Sequence, residues 1–196
     1  MTKYRVICAD PPWSFEDKLR MRGTVGVRRS AEAHYATMDL ADIIALPVGE
    51  IAADDAVLAL WVPNSLLQAG LDTMKAWGFN QKQLFTWVKT TKNGKLAFNM
   101  GRNFRNCSES ALIGTRGRPK TKVHDERNVS LDLQLRHSAK PDTLQSKLER
   151  MFDGPRLELF ARRAIGGWTC VGNECPGTIG VDIREWFAAR VGQEAA

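Results

Sequence analysis

This sequence is poor in cysteine, histidine and tyrosine, contains no long apolar run, and leaves one extended stretch without acid and another without base. Its four cysteines, Cys8, Cys107, Cys170 and Cys175, form no C-x-x-C pair. That spacing argues against a metal ribbon or redox motif and fits four thiols in a reducing cytoplasm. Among the histidines, His34 reads as a loop residue and not a general base, and His124 and His137 have no partner spacing that suggests a metal. The longest apolar run, Ala56 to Val62, is far short of the roughly 20 residues needed to span a bilayer, so no membrane contact is expected. The start, Met1-Thr2-Lys3-Tyr4-Arg5, lacks the apolar region of a signal peptide, and a cytoplasmic location is expected. Absence of G-x-x-x-x-G-K-[ST] and of G-x-G-x-x-G argues against phosphoryl transfer and a nicotinamide dehydrogenase. With 196 residues, 43% hydrophobic and 26% charged, and no repeat or linker, the chain is expected to form one packed domain over residues 1–196.

Charge is distributed unevenly. The total is +6, from 28 Lys and Arg against 22 Asp and Glu. Between Ser30 and Met74 stand seven acids (Glu32, Asp39, Asp42, Glu50, Asp54, Asp55, Asp72) and no base. From Thr73 to Ser108 the sign reverses: Lys75, Lys82, Lys89, Lys92, Lys95, Arg102 and Arg105 occur with no acid. They are interleaved with Trp77, Phe79, Phe85, Trp87, Phe98 and Phe104. Lys18, Arg20, Arg22, Arg28 and Arg29 form a second basic run, and Arg116, Arg118, Lys120 and Lys122 a third. Such surfaces suit a polyanion, because cations that displace condensed counterions supply sequence-independent affinity for nucleic acid. Solvated loops with ordinary lysines would give the same counts. Arg116-Gly117-Arg118-Pro119 also matches the core of a minor-groove hook, although a basic loop is the simpler reading.

Tyr4 to Asp10 reads as a buried strand stopped by Pro11-Pro12. A Gly- and Arg-rich loop follows to about Met38, and Asp39 with Asp42 opens a short helix to Leu46. Ala56 to Val62 is a continuous apolar strand; Asn64 or Ser65 caps a helix with Leu67, Leu71, Met74 and Trp77 on one face, stopped by Gly78. Strands are expected at Gln83 to Thr90 and Ser110 to Thr115, with a turn at Asn93-Gly94, and Arg118 to Leu133 gives no clear pattern. Pro141 in a first turn opens a helix with Leu144, Leu148, Met151 and Phe152, ended by Gly154-Pro155. Arg156 to Ala161 and Trp168 to Gly172 are strands, and Asp182 to Val191 is a closing helix. Alternating strands and helices predict a layered α/β sheet, in which ligands bind beyond the carboxyl ends of the strands.

One strand end carries a distinctive stretch, Asp10-Pro11-Pro12-Trp13. Consecutive prolines fix the backbone and remove two N–H donors, so their carbonyls stand as acceptors beside the Asp10 carboxylate. Trp13 adds a stacking face. Together they form an acceptor-rich slot under a π surface, suited to the exocyclic amino group of a base taken out of its stack. The same residues also fit a rigid turn above a core tryptophan.

Ala9-Asp10-Pro11-Pro12-Trp13 resembles the signature of the MT-A70 family of N6-adenine methyltransferases, which includes the eukaryotic mRNA methylation enzyme and many small bacterial and phage DNA methyltransferases. Further blocks resemble the family's in the same order: Tyr35-Ala36-Thr37-Met38, Leu60-Trp61-Val62, Thr86-Trp87-Val88-Lys89-Thr90, Ser108-Glu109 with Ile113-Gly114-Thr115-Arg116-Gly117, Ser138-Ala139-Lys140-Pro141-Asp142, Glu158-Leu159-Phe160-Ala161-Arg162, and Trp168 to Glu174. The likeness implies an α/β, Rossmann-like class I methyltransferase fold with permuted motif order, a mixed and mostly parallel sheet flanked by helices, and S-adenosylmethionine as methyl donor.

Carried over by position, Asp10 and the Pro11 carbonyl would hold the adenine amino group, with Pro12 and Trp13 completing the slot. Lys140 would meet the methionine carboxylate, and Arg162, Asn173 and Glu174 would hold the nucleoside end, with Leu159 and Phe160 lining that pocket; Asp10 borders both ligands. Tyr35, Lys89, Arg105, Asn106 and Glu109 are the expected substrate contacts. No metal is expected. Compact single-domain members of this family are typically DNA-directed, which favours DNA over RNA as the polymer. The motif begins ten residues from the start, so no separate target-recognition domain is expected. Context would be read by the loops at residues 14–37 and 91–106, or by a second subunit or homodimer mate. A non-catalytic nucleic-acid-binding subunit is the alternative from another class.

Overall fold

The apolar run at Ala56 to Val62 forms the centre of a longer strand, β2 (Ala52–Val62), in a computed structural model that describes residues 2–14, 37–101, 103–134 and 139–191. The other elements are β1 (Tyr4–Ala9), α1 (Leu40–Ile44), α2 (Val48–Ile51), α3 (Leu67–Ala76), β3 (Asn80–Thr90), β4 (Ser108–Arg116), β5 (Val129–Leu133), α4 (Thr143–Met151), β6 (Arg156–Leu159), β7 (Thr169–Val171) and α5 (Ile183–Val191).

The seven strands form one sheet in the order β5-β3-β4-β2-β1-β6-β7. Pairs β1–β2, β1–β6, β6–β7 and β3–β5 are parallel, whereas β4 runs antiparallel to both β2 and β3. The sheet is therefore mixed and mostly parallel, with β4 alone reversed. This is the Rossmann-like methyltransferase arrangement expected from the sequence.

Both faces of the sheet are covered, which is why its central strands read as unbroken apolar runs. Along β2, Ala56, Leu58, Leu60 and Val62 enter one core with Met74 and Trp77 from the α3 side and Ile183, Trp186 and Phe187 from α5. Val57, Ala59 and Trp61 alternate into the opposite core with Phe85, Trp87, Leu144, Leu148 and Phe152. Of the aromatics interleaved with the second-half cations, Trp77, Phe79, Phe85 and Trp87 are buried core residues. Only Phe98 and Phe104 stand in solvent. All four cysteines are free thiols. Among the described residues, no helix is long and apolar enough to cross a membrane.

Several local expectations are corrected. Strands β2 and β3 start earlier, at Ala52 and Asn80. Strand β5 lies within the unpatterned Arg118 to Leu133 stretch; it is an edge strand whose Val129, Leu131 and Leu133 are exposed while Ser130 is buried, so its alternation runs opposite to that of a strand burying its apolar face. Asn64 does not cap α3 through its side chain. The chain makes a 3-10 turn at Asn64–Leu66, and the Asn64 amide bonds to β4, accepting from Ser110 Oγ at 2.8 Å. The face that α3 buries is Gly70, Thr73 and Met74, not Leu67 and Leu71. Asp39 stands at the start of α1 without a side-chain cap bond, and Pro141 precedes the Asp142 cap of α4 instead of lying in its first turn. β6 stops at Leu159, and β7 is trimmed to three residues.

Candidate active site

Chain order places the site. After β1 the chain goes to β2 on one side, and it returns later to β6 on the other, so a crevice opens beyond the carboxyl end of β1. Asp10 is the first residue past that end. The carboxyl ends of β2, β3 and β6 deliver Asn64, Lys89 and Arg162 to the same rim. Because β4 is reversed, its amino end brings Ser108 and Glu109 there as well. The segment between β5 and α4 adds Lys140.

These residues surround a cleft of about 500 Å³ lined by Asp10, Pro11, Pro12, Trp13, Asn64, Lys89, Asn106, Glu109, Lys140 and Arg162, among others. A larger recess of about 990 Å³ lies at the amino ends of β1 and β2. Its Arg116 donates to Gly49 O at 2.5 Å and its Lys3 to Glu50 O at 2.5 Å, so these cations serve the backbone. The third basic run thus sits at the opposite rim from the Asp10 cleft. Arg118 N donates to Asp55 and Lys122 to Asp153.

In the Asp10 cleft an ionic chain crosses the floor. Lys140 Nζ lies 3.0 and 2.8 Å from the two Asp10 oxygens and 3.2 Å from Glu109 Oε2, and Lys89 holds the other Glu109 oxygen. Burial alone pushes Lys140 down, but the Asp10 and Glu109 carboxylates outweigh it and hold its pKa above the ordinary lysine value. Burial likewise pushes Glu109 up, yet Lys140 and Lys89 bring it below the usual carboxylate range. Each cation also sits over a tryptophan, Lys140 at 5.4 Å from the Trp61 ring centre and Lys89 at 5.0 Å from Trp87. Arg163 bonds Asp142 and Lys140 O, which steadies the Lys140 backbone.

The Asp-Pro-Pro-Trp turn is both slot and core. Trp13 is only 5% exposed, packs in the α3-side core and donates from Nε1 to Trp61 O at 3.0 Å, while still bordering the cleft. Pro11 O accepts from Trp13 N at 2.9 Å, and Pro12 O accepts from Met38 N at 2.9 Å. Each carbonyl keeps a second lone pair.

Past β6 the backbone is strained: Phe160 has φ 62°, a left-handed conformation rare for a bulky residue. Strain of this kind concentrates at functional sites, and here it turns the chain so that Arg162 reaches the cleft. Beside it, a Cβ on Gly172 would stand 2.1 Å from Ala161 O and 2.6 Å from Ala161 N. Because both neighbours are backbone, Gly172→Ala is expected to lower stability by about 1–3 kcal/mol in urea unfolding.

Of the residues singled out in the sequence, Asp10, Pro11, Pro12, Trp13, Lys89, Asn106, Glu109, Lys140 and Arg162 converge on the cleft. Leu159 is wholly buried in the core, and Phe160 packs against it. Asn173 and Glu174 stand exposed in the turn after β7, outside the cleft lining. Arg105 is exposed over the Phe98 ring and does not line the cleft. Tyr35 and the basic run from Lys18 to Arg29 lie outside the described residues. The cleft also takes in Asn64, just past β2 where a ligand contact is expected, and Asn99 and Ser108, which sequence reasoning missed: Asn99 lies in the loop between β3 and β4 and Ser108 opens β4, and neither carries a distinguishing local signal.

Glu158, on β6 opposite Cys8, is a half-buried neighbour of the site. One oxygen accepts from Gln145 Nε2 at 3.4 Å, and the other has no partner among the described residues. Burial, with a smaller contribution from Asp10 and against the Gln145 bond, pushes its pKa up to about 7. The native chain therefore keeps a proton on Glu158 at a pH where the unfolded chain has lost it, and stability falls as pH rises from the ordinary glutamate range toward 7. Glu158→Gln has no such proton to lose. It is expected to be more stable than the parent at pH 8, by up to about 3 kcal/mol, with the gap closing as pH falls from about 7 into the ordinary glutamate range. Thermal melts across pH 4 to 8 check this.

A mixed, mostly parallel sheet with an acid-proline-proline-aromatic turn at its switch point defines a Rossmann-like methyltransferase. The MT-A70 family model matches residues 4–174, and the chain belongs to the MT-A70 family. Methyltransferases of this family use S-adenosylmethionine as methyl donor. The chain is 32% identical over 190 residues to the type II methyltransferase M.MunI of a Mycoplasma species, covering 89% of this chain and 78% of that protein. It is 28% identical over 178 residues to the N6-methyladenosine RNA methyltransferase MTA1 of Cryphonectria parasitica, covering 87% and 51%. To the human N(6)-adenosine-methyltransferase catalytic subunit METTL3 it is 26% identical over 186 residues, covering 89% of this chain and 29% of the relative.

Proposed function

We propose that this protein is an S-adenosylmethionine-dependent N6-adenine methyltransferase acting on DNA. The observation that carries the reading is the Asp10 carboxylate at the carboxyl end of β1, opening into a 500 Å³ cleft beside two proline carbonyls. The donor set fits the cofactor: Lys140 offers a cation for a carboxylate, Asp10 an acceptor for an ammonium, and Arg162 a further polar group across the cleft. S-adenosylmethionine supplies an electrophilic methyl group on a sulfonium.

The chain's own residues supply the rest. The adenine amino nitrogen is a weak nucleophile because its lone pair is delocalised into the ring. Hydrogen bonds from its two N–H groups to Asp10 and to the free lone pair of Pro11 O draw electron density onto nitrogen. They also stabilise the positive charge that develops there, so no prior deprotonation is needed. Trp13, locked by its bond to Trp61 O, keeps the slot wall rigid. Lys140 orients the Asp10 carboxylate, Glu109 holds Lys140, and Lys89 holds Glu109.

DNA is favoured because the likeness extends over 78% of the type II methyltransferase but only 29–51% of the two adenosine methyltransferases. RNA is the second reading, supported by the activity in the MTA1 name. The test is methyl transfer from labelled donor to matched duplex DNA, single-stranded DNA and RNA, with nucleoside mass spectrometry and an Asp10→Ala control. N6-methyladenine on DNA that disappears in the control is expected. Product on RNA alone replaces DNA with RNA. No product together with no donor binding overturns the enzyme reading in favour of a nucleic-acid-binding subunit.

A further inference from the structure

Phe104 and Phe98 are the two rings of the cation-rich stretch that the core does not absorb, at 87% and 78% exposure. They project from a loop whose Asn99, Met100 and Asn106 line the Asp10 cleft, so Phe104 stands two residues from the cleft wall. The loop is built to present them. Asn99 and Asn106 exchange backbone hydrogen bonds at 3.1 and 3.2 Å, Asn106 Nδ2 donates to Met100 O at 2.8 Å, and Asn99 Nδ2 donates to Gln134 Oε1 at 3.0 Å. A Cβ on Gly101 would lie 1.9 Å from Phe104 O, so the tip folds tightly only because that position is glycine. Arg105 stacks over Phe98 at 5.1 Å, whereas Phe104 has no ring or cation partner among the described residues. Lys92 and Lys95, in the turn that precedes this loop in the chain, are exposed, and no acid occurs from Thr73 to Ser108.

An aromatic ring held in water at the mouth of a base-accepting cleft, among cations, matches what a base leaves behind. Extruding a nucleotide forfeits its stacking and pairing. A ring entering the vacated space restores part of it, and the surrounding charge favours a polyanion over an apolar protein surface.

We propose that Phe104 is a wedge that enters the duplex stack as the target adenine leaves it for the Asp10 cleft, with the Phe98–Arg105 pair bracing the adjoining backbone. This inference rests on the DNA reading above.

The test compares the full-length wild type with Phe104→Ala and Phe104→Tyr on one duplex and its separated single strands, scoring N6-methyladenine per adenine. The ratio of duplex to single-strand methylation is expected to fall about tenfold or more in Phe104→Ala and to recover in Phe104→Tyr. An equal loss on both substrates, or none on either, overturns the wedge while leaving the methyltransferase reading intact. A change in sedimentation of Phe104→Ala, without a change in the ratio, assigns the ring to contact with a second copy and overturns the wedge too. Failure of the wild type to methylate duplex DNA is a separate result, which removes the DNA reading and the wedge with it.

Discussion

Replacing Asp10 with asparagine is expected to lower kcat for N6-adenine methylation by about 10²–10³-fold, the size seen when one preorganised group facing a developing charge is removed. The shape of the slot survives, because Pro11, Pro12 and Trp13 are held by backbone bonds and by the Trp13–Trp61 contact, none of which passes through the Asp10 carboxylate. The charge does not survive. An amide accepts one hydrogen bond from the adenine amino group but cannot stabilise the cationic nitrogen as a carboxylate does. Donor affinity changes much less than kcat, because Lys140 and Arg162 remain. Steady-state kinetics with calorimetric titration of the donor separate the two effects. Activity within threefold of the parent would show that the charge on Asp10 is not what the reaction uses.

Lys140→Met is expected to weaken donor binding at least tenfold and to lower stability at pH 8 by about 1–3 kcal/mol, less than a fully buried pair would lose because the partners keep some solvent contact. Removing the cation leaves Asp10 and Glu109 facing one another, with Lys89 the remaining cation on Glu109 among the described residues. The sign of the pH effect follows from Glu109, whose pKa Lys140 helps to depress. That stabilisation is present above the unfolded carboxylate pKa and is lost as pH falls through the native value. The deficit of the variant should therefore be largest at neutral and mildly alkaline pH and shrink toward pH 4. The raised Lys140 pKa acts in the other direction: its contribution is full below the unfolded lysine pKa and lost only as pH rises through the folded value. Urea unfolding of parent and variant at pH 4, 6 and 8 reads the Glu109 effect, because the Lys140 contribution stays constant across that range. A pH-independent difference would mean that Lys140 acts through packing on Trp61 alone.

The Asp-Pro-Pro-Trp stretch, the apolar runs of β1 and β2 and the helix at Leu144 to Met151 were legible in the chain, because each depends on neighbours within a few residues. Prolines after a strand stop it wherever it sits, and strands buried on both faces show as continuous apolar runs. The acid-free stretch from Thr73 to Ser108 was equally plain, as was the order of blocks that places the chain in its family.

What the linear order could not settle was which of those cations and rings share a surface. Trp77, Phe79, Phe85 and Trp87 look no different from Phe98 and Phe104 along the chain, yet sheet packing buries the first four and leaves the last two in water. The cations of the 116–122 run went to the opposite rim because β4 ends there. Lys140 and Asp10 are 130 residues apart, and Glu109 belongs to neither's neighbourhood in sequence. Their contact exists because β4 is reversed and β6 returns beside β1. The sequence by itself therefore determined the family, the strand-end motif and the charge; only the tertiary structure decided which charges meet and which rings stay exposed, since burial and ion pairing depend on strand order and direction, which no local pattern encodes.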